Sequence, residues 1–160
     1  MATTNRNLST KPDFIPNCKG KKVGLVVAKW NSEITYALRD GALEALKDAQ
    51  VSESDIEIME VPGSFELSIG AQRMASRPEI NGVICLGCVI QGETPHFDFI
   101  CDAVANGITN VSLKYDKPAI FGVLTTLDNE QAKERAGGKH GNKGYEAGST
   151  LTALFDSGIG

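Results

Sequence analysis

Short apolar or alternating runs recur along the chain, separated by stretches in which apolar residues return every three or four positions. The runs are Lys22–Ala28, Asp55–Val61, Gly82–Ile90 and Pro118–Leu124, each of strand length and rich in Val, Ile and Leu. In the first intervening stretch Ile34, Leu38, Ala42, Ala45 and Ala49 form one stripe, while Arg39, Asp40, Glu44, Lys47 and Asp48 face elsewhere, the mark of an amphipathic helix. Leu67, Ala71, Met74 and Ala75 predict a second helix, and Ile100, Val104, Ile108 and Val111 a third. After the fourth run, Asp128 followed by Gln131 reads as a capping box, and Gly137-Gly138 as the stop of a short helix. A last helix is predicted over about Tyr145–Phe155.

Strands alternating with helices at this spacing imply βαβ units, a parallel sheet and helices on both of its faces. The expected class is α/β: a three-layer αβα sandwich around a four-stranded parallel, flavodoxin-like sheet. Pro12 and Pro16 lie in a polar opening segment, so residues 1–20 are expected to form a loose N-terminal arm and residues 21–160 a single domain. The 160 residues, of which 41% are hydrophobic, suffice for one sizeable core.

Sixteen basic and twenty acidic side chains give a net charge of −4, with no run of either sign to form an electropositive stripe. Nucleic acid is therefore not an expected partner. The opening segment lacks the apolar region of a secretory signal, and no apolar stretch is long enough to span a bilayer, so a soluble cytoplasmic protein without a membrane partner is expected. Cys85 and Cys88 have C-x-x-C spacing, but in a strand residues three apart point to opposite faces and sit ~10 Å apart. A disulfide needs Cα atoms within about 7 Å. No second C-x-x-C completes a zinc site, and the pair is read as small core residues, with no metal expected.

In open parallel sheets ligands sit beyond the carboxyl ends of the strands. After the first run comes Trp30, the only tryptophan, then Asn31-Ser32 at the expected cap of the next helix; the ring is either hydrophobic cover or a platform for a planar heterocycle. After the second comes Pro62-Gly-Ser-Phe-Glu66, with Ser64 placed to cap a helix and Glu66 favoured in its first turn by the dipole alone or by a ligand. After the third comes Gly92-Glu-Thr-Pro-His-Phe97, read as Thr94 at the N-cap, Pro95 at the first helical position and His96 in the first turn. Amide groups there form an anion site, and an imidazole beside them can accept and return protons. Arg135, Lys139, His140 and Lys143 form a small basic cluster, a solvated turn unless the substrate carries phosphate. The glycines match neither a dinucleotide fingerprint nor a Walker loop.

Trp30, Pro62–Glu66, Gly92–Phe97, Phe121-Gly-Val-Leu-Thr125, Glu134-Arg-Ala-Gly137 and Lys139-His-Gly-Asn-Lys-Gly144 together resemble the 6,7-dimethyl-8-ribityllumazine synthases, in the same order over about residues 20 to 157. The resemblance implies condensation of 5-amino-6-(ribitylamino)uracil with 3,4-dihydroxy-2-butanone 4-phosphate, two small-molecule substrates, without metal or organic cofactor. It implies that Trp30 stacks on the pyrimidine, that Ser64, Phe65 and Glu66 bind the ribitylaminouracil, and that Cys88, Val89 and Ile90 line its other side through their backbone. It further implies that Phe121 closes the aromatic wall, that Glu93, Thr94, Arg135 and Lys143 contact the phosphate, and that His96 shuttles protons. Members assemble as rings, so Phe121, Arg135 and Lys143 are expected from a neighbouring subunit. The assembly is expected to be a homo-oligomer of pentamers: a pentamer, a decamer or a sixty-subunit shell. The short Gly138–Gly144 turn leans towards the shell, and association with riboflavin synthase is a further implied partnership. Two other readings remain open from the residues alone: a non-catalytic flavin-binding module of flavodoxin-like fold, and a shell or scaffold protein.

Overall fold

A computed structural model describes residues 7–160; residues 1–6 of the expected arm lie outside the described residues. Four parallel strands, β1 (Val23–Ala28), β2 (Ile56–Val61), β3 (Gly82–Ile90) and β4 (Ala119–Thr126), form one sheet in the order β2-β1-β3-β4. The connecting helices are α1 (Ser32–Asp48), α2 (Leu67–Ala75) and α3 (His96–Tyr115). After β4 come α4 (Asn129–Glu134), a small antiparallel hairpin of β5 (Ala136–Gly138) and β6 (Gly141–Asn142), and α5 (Lys143–Asp156).

Each residue of β1 is buried, because a central parallel strand is covered on both faces and must be apolar throughout. Alternate side chains then enter two separate cores. Leu25, Val27 and Cys88 pack with Leu38 and Leu46 of α1 and Leu151 of α5. Val26, Ala28 and Cys85 pack with Met74 of α2 and Ile108 of α3. Burying one leucine such as Leu38 contributes about 1.5–3 kcal/mol. The two cysteines thus lie on opposite faces with their thiols free, and burial pushes Cys85 up to about 12 and Cys88 up to about 11. Neither is a thiolate near neutral pH.

The expected three layers are present, and several local expectations are corrected. The arm is not loose over residues 7–18. Its Leu8 N–H donates to the carbonyl of His140 (2.8 Å) and its Cys18 N–H to that of Ala49 (2.8 Å). Lys11 pairs with Asp48 at 2.8 Å, and Cys18 is buried. The basic turn is a hairpin, and α5 begins at Lys143 rather than near Tyr145 because Asn142 accepts the N–H groups of Gly144 and Tyr145 at 2.8 and 3.3 Å. The capping box at α4 is half formed. Asp128 accepts Gln131 N–H at 2.8 Å, while the Gln131 side chain accepts from Leu127 N–H (3.1 Å) instead of Asp128.

Among the described residues no helix is long and apolar enough to cross a membrane.

Candidate functional site

From β1 the chain passes to β2 on one side of the sheet and, later, to β3 on the other. That reversal opens a crevice beyond the carboxyl ends of β1 and β3. Two further backbone bonds carry the ladder past β1: Lys29 N–H donates to Val61 O (2.8 Å) and Trp30 N–H to Pro62 O (3.0 Å). They draw the Trp30 turn against the Pro62–Glu66 turn. On the other side β1 pairs with β3 only as far as Leu86, whereas β3 continues to Ile90 beside β4. Cys88–Ile90 therefore have no strand partner on the β1 side, and their backbone edge faces the crevice.

Asn31, at the position before α1, adopts a left-handed conformation (φ 60°) and donates from Nδ2 to the Cys88 carbonyl at 3.1 Å. Asparagine tolerates this region better than other side chains with a Cβ. The Ser64 hydroxyl donates to the same carbonyl at 3.5 Å. This corrects the expected role of Ser64 as a cap: the residue sits inside a tight turn, Ser64–Glu66, and it is the Glu66 carboxylate that closes the turn, accepting Gly63 N–H at 2.9 Å. The close approach of Ser64 to β3 depends on Gly87, where a Cβ would stand 2.6 Å from the serine Oγ.

Thr94 is likewise not the cap of α3. The helix begins at His96, and the carbonyl of Pro95 receives the N–H groups of Asp98 (3.1 Å) and Phe99 (3.4 Å) without any side-chain cap. Pro95, at φ −68°, already has near-helical backbone, so it takes the position expected of its neighbour. The N–H groups of His96 and Phe97 have no carbonyl one turn behind them and remain a place for an anion.

These segments enclose a cavity of about 290 Å³. Trp30, Ser64, Phe65, Glu66, Cys88, Val89, Ile90 and His96 all line it. Trp30 is 73% and Phe65 57% exposed, so both rings stand at an open rim. Asn31, Gly63 and Ile100 also line it, and sequence reasoning gave them no site role. Ile100 follows His96 by four residues and so shares its helix face, a spacing that could have revealed it; Asn31 was read only as a cap.

The remaining expected residues lie elsewhere. Glu93 and Thr94 are exposed before α3 and do not line the cavity. Phe121 and Lys143 line a separate depression of about 240 Å³ between β4 and α5. Arg135 ends α4, its Nη1 donating to the Gln131 carbonyl at 3.0 Å. Lys143 pairs with Glu146 at 2.6 Å, and its N–H donates to the Arg135 carbonyl at 2.8 Å.

Comparison with known proteins bears on this arrangement. The sequence profile of 6,7-dimethyl-8-ribityllumazine synthase matches residues 20–157. A 6,7-dimethyl-8-ribityllumazine synthase of Cytophaga hutchinsonii is 56% identical over 154 residues, 96% of each chain. Proteins of the same description from Parabacteroides distasonis and Porphyromonas gingivalis are 49% and 46% identical, covering 98% and 99% of this chain and 98% of each relative. With the profile spanning the whole sheet and its helices, the chain belongs to the 6,7-dimethyl-8-ribityllumazine synthase family.

Proposed function

We propose that the strand-end cavity takes 5-amino-6-(ribitylamino)uracil and that the phosphate of 3,4-dihydroxy-2-butanone 4-phosphate sits between the start of α3 and the β5–β6 hairpin of a neighbouring subunit. The reaction is the family's: the two substrates condense to 6,7-dimethyl-8-ribityllumazine with release of phosphate and water, the penultimate step of riboflavin biosynthesis. The family membership disfavours the flavin-binding and scaffold readings.

Within the cavity the Trp30 ring stacks on the pyrimidine, and the backbone edge of Cys88–Ile90, which has no strand partner on the β1 side, reads its polar rim. Glu66 uses one carboxylate oxygen on Gly63; its remaining acceptor capacity suits ribityl hydroxyls. The 5-amino group attacks the ketone and water departs to leave an imine. Loss of a proton and of phosphate follows, the resulting enol becomes a ketone, and the ribitylamino nitrogen closes the ring with loss of a second water. Each step moves protons and none needs a protein nucleophile. His96, beside the open amides of α3, is placed to accept and return them. Holding two reactants in register supplies much of the remaining acceleration.

The observation that carries this reading is the single cavity formed by Trp30, the Ser64–Glu66 turn, Cys88–Ile90 and His96. Phe121, Arg135 and Lys143 stand outside it, which fits a head-to-tail ring where each interface joins two different faces. The assembly is built of pentamers in the cytoplasm, as a shell in the limiting case, and riboflavin synthase is the natural partner because it consumes the lumazine. Chains carrying Trp30→Ala and His96→Ala, co-refolded with Arg135→Ala chains, should regain lumazine synthesis, since about a quarter of randomly formed interfaces pair two intact halves. Activity no greater than the sum of the separately refolded variants, in assemblies shown by light scattering to be mixed, would place the whole site within one chain.

A further inference from the structure

Asn142 stands where the basic hairpin meets the body of the subunit. Its backbone lies in β6 opposite Ala136 of β5, immediately before Lys143 at the start of α5. Both ends of its carboxamide are engaged. Oδ1 accepts the N–H groups of Gly144 and Tyr145 at 2.8 and 3.3 Å, and Nδ2 donates to the Ala37 carbonyl of α1 at 2.9 Å. Its backbone N–H donates to Ser9 Oγ at 2.9 Å. One residue thus ties together α1, α5, the hairpin and the arm. Its seat on α1 is kept open by Gly41, where a Cβ would collide with the Asn142 carboxamide.

The two basic residues assigned to the phosphate hang from this joint. Lys143 is the next residue, and its N–H holds the carbonyl of Arg135 at 2.8 Å. Neither side chain anchors itself to α1: Arg135 bonds the Gln131 carbonyl within its own helix, and Lys143 pairs with Glu146 within its own. The side-chain hydrogen bond from the hairpin to α1 is that of Asn142 to Ala37, while α4, ahead of Arg135, is tied to α1 by the exposed pair of Lys133 and Glu33 at 3.3 Å.

We propose that Asn142 is a positioning residue for the phosphate half of the site: by bonding Ala37 while capping α5, its carboxamide sets where Arg135 and Lys143 present their charges. It touches no substrate, and the inference rests on the phosphate reading given above. Asn142→Ser keeps a hydroxyl able to cap α5 but is too short to cap and reach Ala37 together, and it leaves the charge unchanged. Gly41→Ala leaves Asn142 in the sequence and takes its seat, with alanine favoured inside a helix.

Steady-state kinetics on the assembled protein, with both substrates varied, should show KM for the butanone phosphate raised roughly tenfold in each variant, below the hundredfold that a 1 Å misplacement can cost. KM for the ribitylaminouracil should stay unchanged, which a general structural defect would not allow. The double variant should be no worse than either alone, because both remove one interaction. If both KM values rise together, if neither moves, or if both variants fail to assemble, Asn142 is a structural residue and the proposal is overturned. Arg135→Ala separates the two levels of the argument. A raised KM for the butanone phosphate there, with none in Asn142→Ser, sinks the positioning role alone; an unchanged KM in Arg135→Ala sinks the phosphate reading and the inference with it.

Discussion

The two halves of the proposed site are built on different physics. The strand-end cavity is made where parallel strands stop at unequal lengths, so that Cys88–Ile90 outrun β1 and expose a backbone edge. Its side chains are mostly apolar or neutral, and two of its aromatic rings stand largely exposed. The short hairpin of the other half, Ala136–Asn142, is tied down by polar contacts: the Asn142 side chain to Ala37, the Asn142 N–H to Ser9 and the Lys143 N–H to Arg135. In the proposed reading a planar heterocycle meets the ring faces of the turns and the backbone edge of β3, with the turns held against β3 by Asn31 and Ser64. The phosphate of the proposed second substrate needs charges held at a fixed place, and a polar network is suited to that.

The difference predicts unequal sensitivity. Arg135→Ala should give the largest loss, about a hundredfold or more in kcat/KM for the butanone phosphate, because the guanidinium offers a forked contact to phosphate oxygens. Lys143→Ala should lose far less, its ammonium being already paired with Glu146 at 2.6 Å. Equal losses would mean that the hairpin acts through net charge alone, and the contrast between the halves would blur.

His96→Ala comes next. It should fold normally and lower kcat by roughly 10–100-fold, the modest range of acid–base assistance to a reaction that needs no protein nucleophile. Unchanged turnover would leave the cavity a binding site without a proton shuttle.

The smallest effect concerns the arm. The Lys11 ammonium, helped by the Tyr145 hydroxyl, holds the Asp48 carboxyl below its ordinary range, and Asp48 in turn raises Lys11. With its folded value depressed, Asp48 contributes stability that is complete above the ordinary carboxylate value of about 3.9 and is lost as pH falls through the lower folded value. Lys11 contributes fully below about 10.4 and loses its share as pH rises through its raised value. Asp48→Asn should therefore lower Tm at pH 7 by on the order of 1–3 °C, as expected for an exposed pair. That difference should close as thermal melts are taken to progressively lower pH. A gap that stays constant down to pH 2 would mean that packing, not charge, holds the arm.

Much of the architecture is written in local patterns. β3 spans Gly82–Ile90 and α2 spans Leu67–Ala75 as their apolar periods predict, since burial of a stripe or of both strand faces constrains residue after residue. The opposite facing of Cys85 and Cys88 also follows from strand geometry alone. The order of the motifs pointed to the family whose profile matches residues 20–157.

What the sequence could not determine is which of those residues share a cavity, because spacing along a chain carries no distance between chain segments. Only the folded sheet shows that Trp30, Glu66 and His96 meet while Phe121 and Lys143 occupy another depression. Ser64 and Asn31 read as caps in sequence and Asn142 has no distinct reading there, since all three are merely short polar side chains. Their hydrogen bonds to Cys88 and Ala37 lie 24, 57 and 105 residues away. The hairpin escaped notice because strands of three and two glycine-rich residues show no alternation to read. The arm looked loose because its contacts, Leu8 with His140 and Lys11 with Asp48, exist only once the distant surfaces have been assembled. Local pattern determined the elements; long-range hydrogen bonding, which has no periodic trace in sequence, decided how the elements hold the site.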